Sequence, residues 1–401
     1  MCIIKTEHIS SNLEFGGGLP MEAADKKKRY VKDGTGVVRS KRLRLFRFNW
    51  KRKMKMKKKV LVAMSGGVDS SVAALLLQKQ GYEVGGATFV LFDGCNEDNV
   101  GDAKKVCDQL GIPHYVLDYR DIFSKNVKEY FVNSYLAGKT PNPCIACNRN
   151  IKFGAFLQDA KQLGYEMIST GHYAGIGFDE ETGRYQLRRS INLKKDQSYV
   201  LYHLSQEQLS RLILPLEQLT KQEVREIAAQ ANLPVKSKSD SQDICFVPDG
   251  DYVGFITNYT GKAPQEGDYI DDDGKVLGRH KGVLHYTIGQ RKGLGISLGV
   301  HRFVSAIDPK ANTVTLSDET AVFSDTLFAD DLKLITFKAL TEPLECTAKI
   351  RYAHQPAAAT IYPLENGRVR VVFQKPQRAI TKGQAVVFYD GEQVLGGATI
   401  E

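Results

Sequence analysis

Val60-Leu-Val-Ala-Met64 runs straight into Ser65-Gly-Gly-Val-Asp-Ser-Ser71, and from Ser70 to Gln80 apolar residues recur at helical spacing until Gly81. An apolar strand before and a helix after make this a strand-to-helix junction. Two glycines let the backbone approach a ligand, and the helix start offers N–H groups and a positive dipole end to an anion. Ser65, Ser70 and Ser71 add hydroxyl donors. No Gly-Lys-Ser/Thr follows, so this is not a Walker A loop. The bland alternative is a turn capped by serines; the whole string in this context favours phosphate binding.

Outward from the junction the alternation continues. Val84–Leu91 reads as a strand, Asp102–Leu110 as a helix stopped by Gly111, His114–Asp118 as a strand and Ile122–Leu136 as a helix. Ile151–Leu163 reads as a helix closed by Gly164, and Met167–Thr170 as a strand. The expected fold class is α/β, a parallel sheet with helices on both faces, and such sheets bind ligands at the carboxyl ends of strands near a topological switch point. Thr220-Lys-Gln-Glu223 is a capping box opening a helix to about Asn232. After Cys245 helical periods stop, and Asp271–Gly274, Asn366-Gly367 and Asp390-Gly391 read as turns between strands such as Arg368–Phe373 and Gln384–Tyr389. The expected layout is a basic extension at 1–58, an α/β catalytic domain at 59–250, a small β-rich domain at 251–325 and a C-terminal β-barrel or sandwich at 326–401.

The 401 residues are 42% hydrophobic and 25% charged, a globular composition long enough for two or three domains. No apolar run of membrane-spanning length and no secretory signal pattern occur, so no membrane partner is expected. Seven cysteines, an odd number, do not make a disulfide scaffold, and a reducing cytoplasm is the expected location. The formal charge of +9 divides unevenly: residues 1–59 hold 18 Lys/Arg against 5 Asp/Glu, which leaves the body at −4. The basicity therefore belongs to the N-terminal tail, and an argument for nucleic acid from it would rest on that tail. A phosphate-touching arm, a transit peptide (opposed by its five acidic residues) and an extension ahead of a start at Met54 or Met56 are the readings it allows.

Cys144 and Cys147 form a Cys-x-x-Cys pair after Pro141 and Pro143, with Cys245 about a hundred residues on. Structural zinc wants four ligands, usually two such pairs, and only one pair is present. Cys95, Cys107 and Cys346 stand in separate contexts, and Cys107 reads as core. A sulfur-relay thiol needs a polar, partly exposed setting, ideally near a cation or helix start. Cys147, just before Arg149 and the helix expected at Ile151, fits; Cys245 fits less visibly.

The loop Ser65–Ser71 resembles the pyrophosphate loop of the ATP-pyrophosphatase (PP-loop) superfamily. Thr140–Asn148, Thr170–Tyr173, Lys195–Tyr199, Ser241–Phe246, Gly289–Gly295, Arg351–Pro356 and Gly383–Gly391, in that order, resemble one family within it, the MnmA-type tRNA-specific 2-thiouridylases, over about 59–401. The resemblance implies ATP and magnesium as cofactors, with Ala63, Met64, Ser65, Gly66, Gly67, Val68, Asp69, Ser70, Phe89 and Gly171 at the nucleotide. It implies Cys245 as persulfide carrier and Cys147 as the nucleophilic or resolving cysteine that forms a transient disulfide with it. It implies contacts to tRNA from Asn142, Pro143, Cys144, His172, Lys195, Asp196, Gln197, Arg351, Tyr352 and Gln384. Phe89 and His172 keep a core reading as the alternative. Cys144 departs from the acidic residue common there, which opens the question of which thiol reacts. It also opens a cluster reading, with Cys144, Cys147 and Cys245 as iron–sulfur ligands.

The implied reaction is ATP-dependent 2-thiolation of the wobble uridine of tRNAs of the Lys, Glu and Gln types, with sulfur delivered by a donor such as a cysteine desulfurase or relay protein. A ligase that amidates a small molecule would need neither Cys147 nor Cys245. A non-catalytic tRNA-binding protein would not need the intact loop.

Overall fold

The computed structural model describes residues 58–94, 97–238 and 244–401. Residues 1–57 of the basic extension, Cys95 and Ser241-Gln-Asp243 of the Cys245 motif lie outside the described residues.

β1 (Lys59–Ala63), β2 (Glu83–Val90), β3 (His114–Asp118) and β4 (Met167–Ser169) come first in the chain. A hairpin, β5 (Ala174–Asp179) and β6 (Arg184–Arg189), follows, and then β7 (Leu212–Ile213). Five of these form one sheet in the order β3-β2-β1-β4-β7, every neighbouring pair parallel. Apolar residues along β1 face both ways. Val60, Val62 and Met64 join a core with the helix Val68–Lys79, while Leu61 joins a second core on the other face. A strand buried on both sides has to be continuously apolar, which is why Val60–Met64 shows no alternation.

Two long helices contain wider π-type turns: helix 120–136 around Ser124–Lys128, and helix 143–162 around Asn148–Ala155. The first matches the expected Ile122–Leu136. The second starts eight residues before the expected Ile151, because Asn142 caps it and Pro143 occupies its first turn. Helical structure also does not stop after Cys245. Tyr252–Thr260 is a helix, capped by the Asp251 side chain and ended by Gly261 in the left-handed region. Its Val253 and Ile256 pack into the core around Phe123 and Phe131.

The central region forms a four-stranded sheet from β8 (Gly267–Ile270), β9 (Val276–His280), β10 (Phe303–Asp308) and β11 (Thr313–Ser317). Tyr269, Tyr286, Val304, Val314 and Leu316 fill its small core. β12 (Phe323–Leu334), β13 (Leu344–Lys349), β14 (Ala357–Pro363), β15 (Val369–Arg378), β16 (Ala385–Asp390) and β17 (Gln393–Ile400) form a six-stranded ring in the order β12-β15-β14-β13-β16-β17. Pairing of β12 with β17 closes it, so of the two expected forms the structure has the barrel. The expected turns Asp271–Gly274, Asn366-Gly367 and Asp390-Gly391 all connect antiparallel strands.

One connection crosses the expected layout. The hairpin β5–β6 lies within 59–250, yet β6 pairs with β17 of the barrel through Leu187 and Arg188. Leu187, Tyr199 and Leu201 share a core with Ala385, Val387 and Tyr389 of β16. By its contacts, 55–401 is one compact unit.

Candidate active site

β1 has β2 on one side and β4 on the other, so the loops after β1 and β4 meet at the switch point of the sheet. Gly66 lies at φ +68°, and a Cβ there would fall 2.5 Å from the Asn99 carbonyl oxygen. Only glycine fits both demands. Gly67 is the extended residue ahead of the helix Val68–Lys79. The Ser65 N–H donates to Ser70 Oγ at 3.2 Å, and Ser70 Oγ donates to the Gly67 carbonyl at 3.3 Å. Ser71 Oγ donates to the same carbonyl at 2.8 Å and is buried, so Ser71 braces the loop and is not a ligand donor. Met64 and Val68 are also buried, and the Met64 N–H is bonded to the Ala87 carbonyl. Their side chains support the loop from inside the core, and Ala63 is half-buried beside them.

Gly171, in the loop after β4, abuts this turn: a Cβ would stand 2.7 Å from the Ser70 nitrogen. Asp69 receives the Tyr173 hydroxyl at 2.8 Å and is bridged by Lys221 Nζ at 2.8 and 2.9 Å. Lys221 opens the capping-box helix, Lys221–Gln230. Sequence reading missed Lys221 because 152 residues separate it from Asp69; only its place at that helix start could have flagged it. Phe89 packs edge-on against Tyr119 and Phe156, with ring centroids 5.2 and 4.9 Å away, in keeping with its core reading.

The cysteines differ sharply. Cys144 is exposed in the first turn of helix 143–162, whereas Cys147, one turn on, is 8% exposed. Burial pushes the Cys147 thiol up, opposed by the nearby Lys152 ammonium. The exposed loop thiol expected at Cys147 is therefore a buried helical one. Cys245 is exposed, in a turn anchored by Phe246 among Phe123, Phe131 and Phe255. Cys107 is buried, and its thiol is pushed up to about 11, as a core cysteine should be. Among the described residues no group of three or more His, Cys, Asp or Glu is gathered to hold a metal. The three-cysteine donor set thus does not fit an iron–sulfur cluster in this arrangement.

The residues expected at RNA fall into two groups. Asn142 Oδ1 caps the helix, accepting from the N–H groups of Cys144 and Ile145 at 3.1 and 3.4 Å. Gln384 Nε2 donates to the Thr140 carbonyl at 2.8 Å, and the Thr140 N–H donates to the Lys382 carbonyl at 2.8 Å. The barrel thereby grips the segment that carries Pro143 and Cys144. Tyr352 is exposed and within electrostatic reach of Cys144. Arg351 Nη1 donates to the Arg378 carbonyl at 3.0 Å, and Lys195 is half-buried.

The other group turns inward. Asp196 is buried and accepts from Arg189 Nε, the Ser190 and Ser198 N–H groups and Ser198 Oγ. Gln197 Oε1 accepts from the Tyr173 N–H at 3.0 Å. His172 is buried with Nδ1 2.7 Å from Thr170 Oγ1, and burial holds its ring neutral. Gln197 and His172 shape the loop after β4 from within, while Asp196 ties together the segment from Arg189 to Ser198.

Comparison with known proteins matches residues 58–249 to a tRNA methyl transferase HUP domain, 253–318 to a tRNA methyl transferase PRC-barrel domain and 324–400 to an aminomethyltransferase β-barrel domain. A tRNA-specific 2-thiouridylase MnmA of Acetivibrio thermocellus is 51% identical over 357 residues, 86% of this chain and 99% of that protein. The protein of the same name from Clostridioides difficile is 49% identical over 358 residues, 87% of this chain and 99% of its own length. The chain belongs to the tRNA-specific 2-thiouridylase family. Among solved structures, NMN synthetase from Francisella tularensis is similar at TM-score 0.33 and 18% identity, over 52% of this chain and 80% of that one. A 4-thiouridine synthetase in complex with RNA and ATP is similar at TM-score 0.35 and 20% identity, over 48% and 46%. Among the described residues no helix is long and apolar enough to cross a membrane.

Proposed function

We propose that this chain is an ATP-dependent tRNA sulfurtransferase that converts the uridine at the wobble position, 34, of tRNAs of the Lys, Glu and Gln types into 2-thiouridine. The observation that carries the reading is the Ser65–Ser71 loop at the switch point, bordered by Gly171 and Asp69, in a member of this family. Such a loop accepts the phosphates of ATP on backbone N–H groups and a helix N-terminus.

The C2 oxygen of the flipped uridine attacks the α-phosphorus, the α–β bridging bond breaks, and pyrophosphate leaves. A donor such as a cysteine desulfurase or relay protein first loads Cys245 with sulfur. The terminal persulfide sulfur then attacks C2, and AMP departs with the former carbonyl oxygen. Cys147, once deprotonated, attacks Cys245 Sγ and frees the thiocarbonyl. The resulting Cys147–Cys245 disulfide is reduced by two electrons from an external thiol. Magnesium neutralises charge on the departing pyrophosphate when bound. Asp69 would hold it, its carboxylate exchanging the Lys221 ammonium for the ion.

The test is mass spectrometry of nucleosides from unmodified tRNA incubated with the protein, ATP, magnesium and a persulfide donor. The expected result is new 2-thiouridine. Cys147→Ser and Cys245→Ser each abolish it while ATP binding stays nearly intact. Bound tRNA with no product from the wild-type chain would overturn the reading.

A further inference from the structure

Lys349, the last residue of β13, is 6% exposed. Its ammonium lies over the ring of Tyr199 at 5.7 Å and over that of Tyr352 at 5.8 Å, the two rings meeting nearly edge to face. Tyr199 is fixed by its hydroxyl, which donates to the Ala385 carbonyl at 2.8 Å. A buried ammonium normally has a carboxylate or carbonyl in hydrogen-bond contact, because desolvating it otherwise costs several kcal/mol. Lys349 has none among the described residues. The nearest carboxylate felt by it is Asp196, whose oxygens are already engaged by Arg189, Ser190 and Ser198. Aromatic faces offset part of the cost but give the N–H donors no protein partner among the described residues, and the ammonium tip itself is not sealed from solvent.

Two further facts point to an anion. Arg189 stands close enough to act on Lys349, and Lys349 and Arg351 both stand close enough to act on His354, so positive charge gathers here around a single buried carboxylate that Arg189 already engages. One wall of the cage, Tyr352, is 42% exposed and within electrostatic reach of Cys144. The Lys349 donors therefore sit behind a ring that opens onto the thiol-bearing end of helix 143–162.

We propose that Lys349 binds a phosphate oxygen of the RNA strand that passes between Tyr352 and Cys144. This rests on the tRNA reading above and adds a residue that no motif in the sequence singled out. Lys349 is a binding residue; it fixes the strand and takes no part in sulfur transfer.

The experiment is a salt series of tRNA binding by the full chain, using one unmodified tRNA, with wild type, Lys349→Met and Lys349→Gln. Met keeps the apolar stem within the cage, and thermal unfolding of each variant monitors the fold. Removal of one phosphate contact is expected to weaken binding about tenfold. It should also flatten the slope of log affinity against log salt by about one. Wild-type slope in folded Lys349→Met and Lys349→Gln would overturn the proposal and leave the lysine a packing element. The two readings fail separately. A wild-type chain that binds tRNA with the extra slope but makes no 2-thiouridine removes the sulfurtransferase, not the phosphate contact. A chain that thiolates, with both variants at wild-type slope, removes only the contact.

Discussion

At the residue scale the decisive contrast is between Cys147 and its neighbours. A thiol reacts as its thiolate, and burial disfavours that charge. Cys147 is buried with its thiol pushed up, whereas Cys144 and Cys245 are exposed. Iodoacetamide at pH 8, followed by peptide mass spectrometry, is therefore expected to label Cys144 and Cys245 at least tenfold faster than Cys147. Labelling of Cys147 should climb as pH rises above the ordinary thiol range, since its folded-state value is raised. Equal rates at the three sites would contradict the burial argument. The same contrast shows what the sequence did and did not reveal. The Cys-x-x-Cys pair was legible by spacing, but Cys147 was read as a loop residue before Ile151. Asn142-Pro143 is a helix-start signal, an Asn cap followed by Pro in the first turn, and weighing it would have put Cys147 on the helix. Its burial could not be read at all, because the cover comes from chain segments far away in sequence.

At the element scale the Ser65–Ser71 loop depends on two glycines for different reasons. Gly66 needs a left-handed conformation, which the sequence string announces. Gly171 needs proximity: its Cα presses on the Ser65–Ser71 turn from the loop after β4. Gly171→Ala places a methyl 2.7 Å from the Ser70 nitrogen, so the two loops must part. Overpacking of this kind costs about 1–3 kcal/mol, and here it falls on the Ser65–Ser71 turn proposed to bind phosphate. ATP affinity measured by calorimetry should drop at least tenfold in Gly171→Ala. Wild-type ATP affinity would show that the loop tolerates the shift. Asp69→Ala belongs with this element too. It leaves Lys221 without its carboxylate, and formation of adenylated tRNA should fall by two orders of magnitude or more, about 2.7 kcal/mol of lost stabilisation. Unimpaired adenylation by this variant would remove Asp69 from the mechanism. Four strands of the parallel sheet were legible as short apolar runs bounded by turns, whereas β7, two residues long, leaves no such run and was missed. The helix Tyr252–Thr260 was missed too. Its aromatic and β-branched residues suit strands, and tertiary packing through Val253 and Ile256 overrides that preference.

At the scale of the whole molecule, the sequence divides where its texture changes, but the packing does not divide there. The hairpin β5–β6 hydrogen-bonds to β17, about two hundred residues later, and no local pattern encodes such a partner. Arg184 Nε and Gln206 Nε2 both donate to the Ile335 carbonyl at 3.0 Å, and Arg149 Nη1 meets Asp331 Oδ2 at 2.7 Å. The exposed ion pair contributes little, about 0–1 kcal/mol. The shared core contributes far more. Leu187, Tyr199 and Leu201 share one buried core with Ala385, Val387 and Tyr389 of β16, and uncovering one large apolar side chain costs about 1.5–3 kcal/mol. Three of them together approach the whole stability of a typical domain. The α/β part and the barrel should therefore melt as one. Differential scanning calorimetry of the full chain is expected to show a single transition spanning both. A chain truncated after Asp318 should fail to give a soluble fold, because β6 loses its neighbour and the Tyr199 hydroxyl loses the Ala385 carbonyl. Two well-separated transitions, or a soluble truncated chain with a sharp melt of its own, would show that the barrel is an appendage. The coupling bears on the site, because the barrel also holds the segment entering helix 143–162 through Gln384 and Lys382. Loss of the barrel removes both the exposed Tyr352 and the support of the segment that presents Cys144.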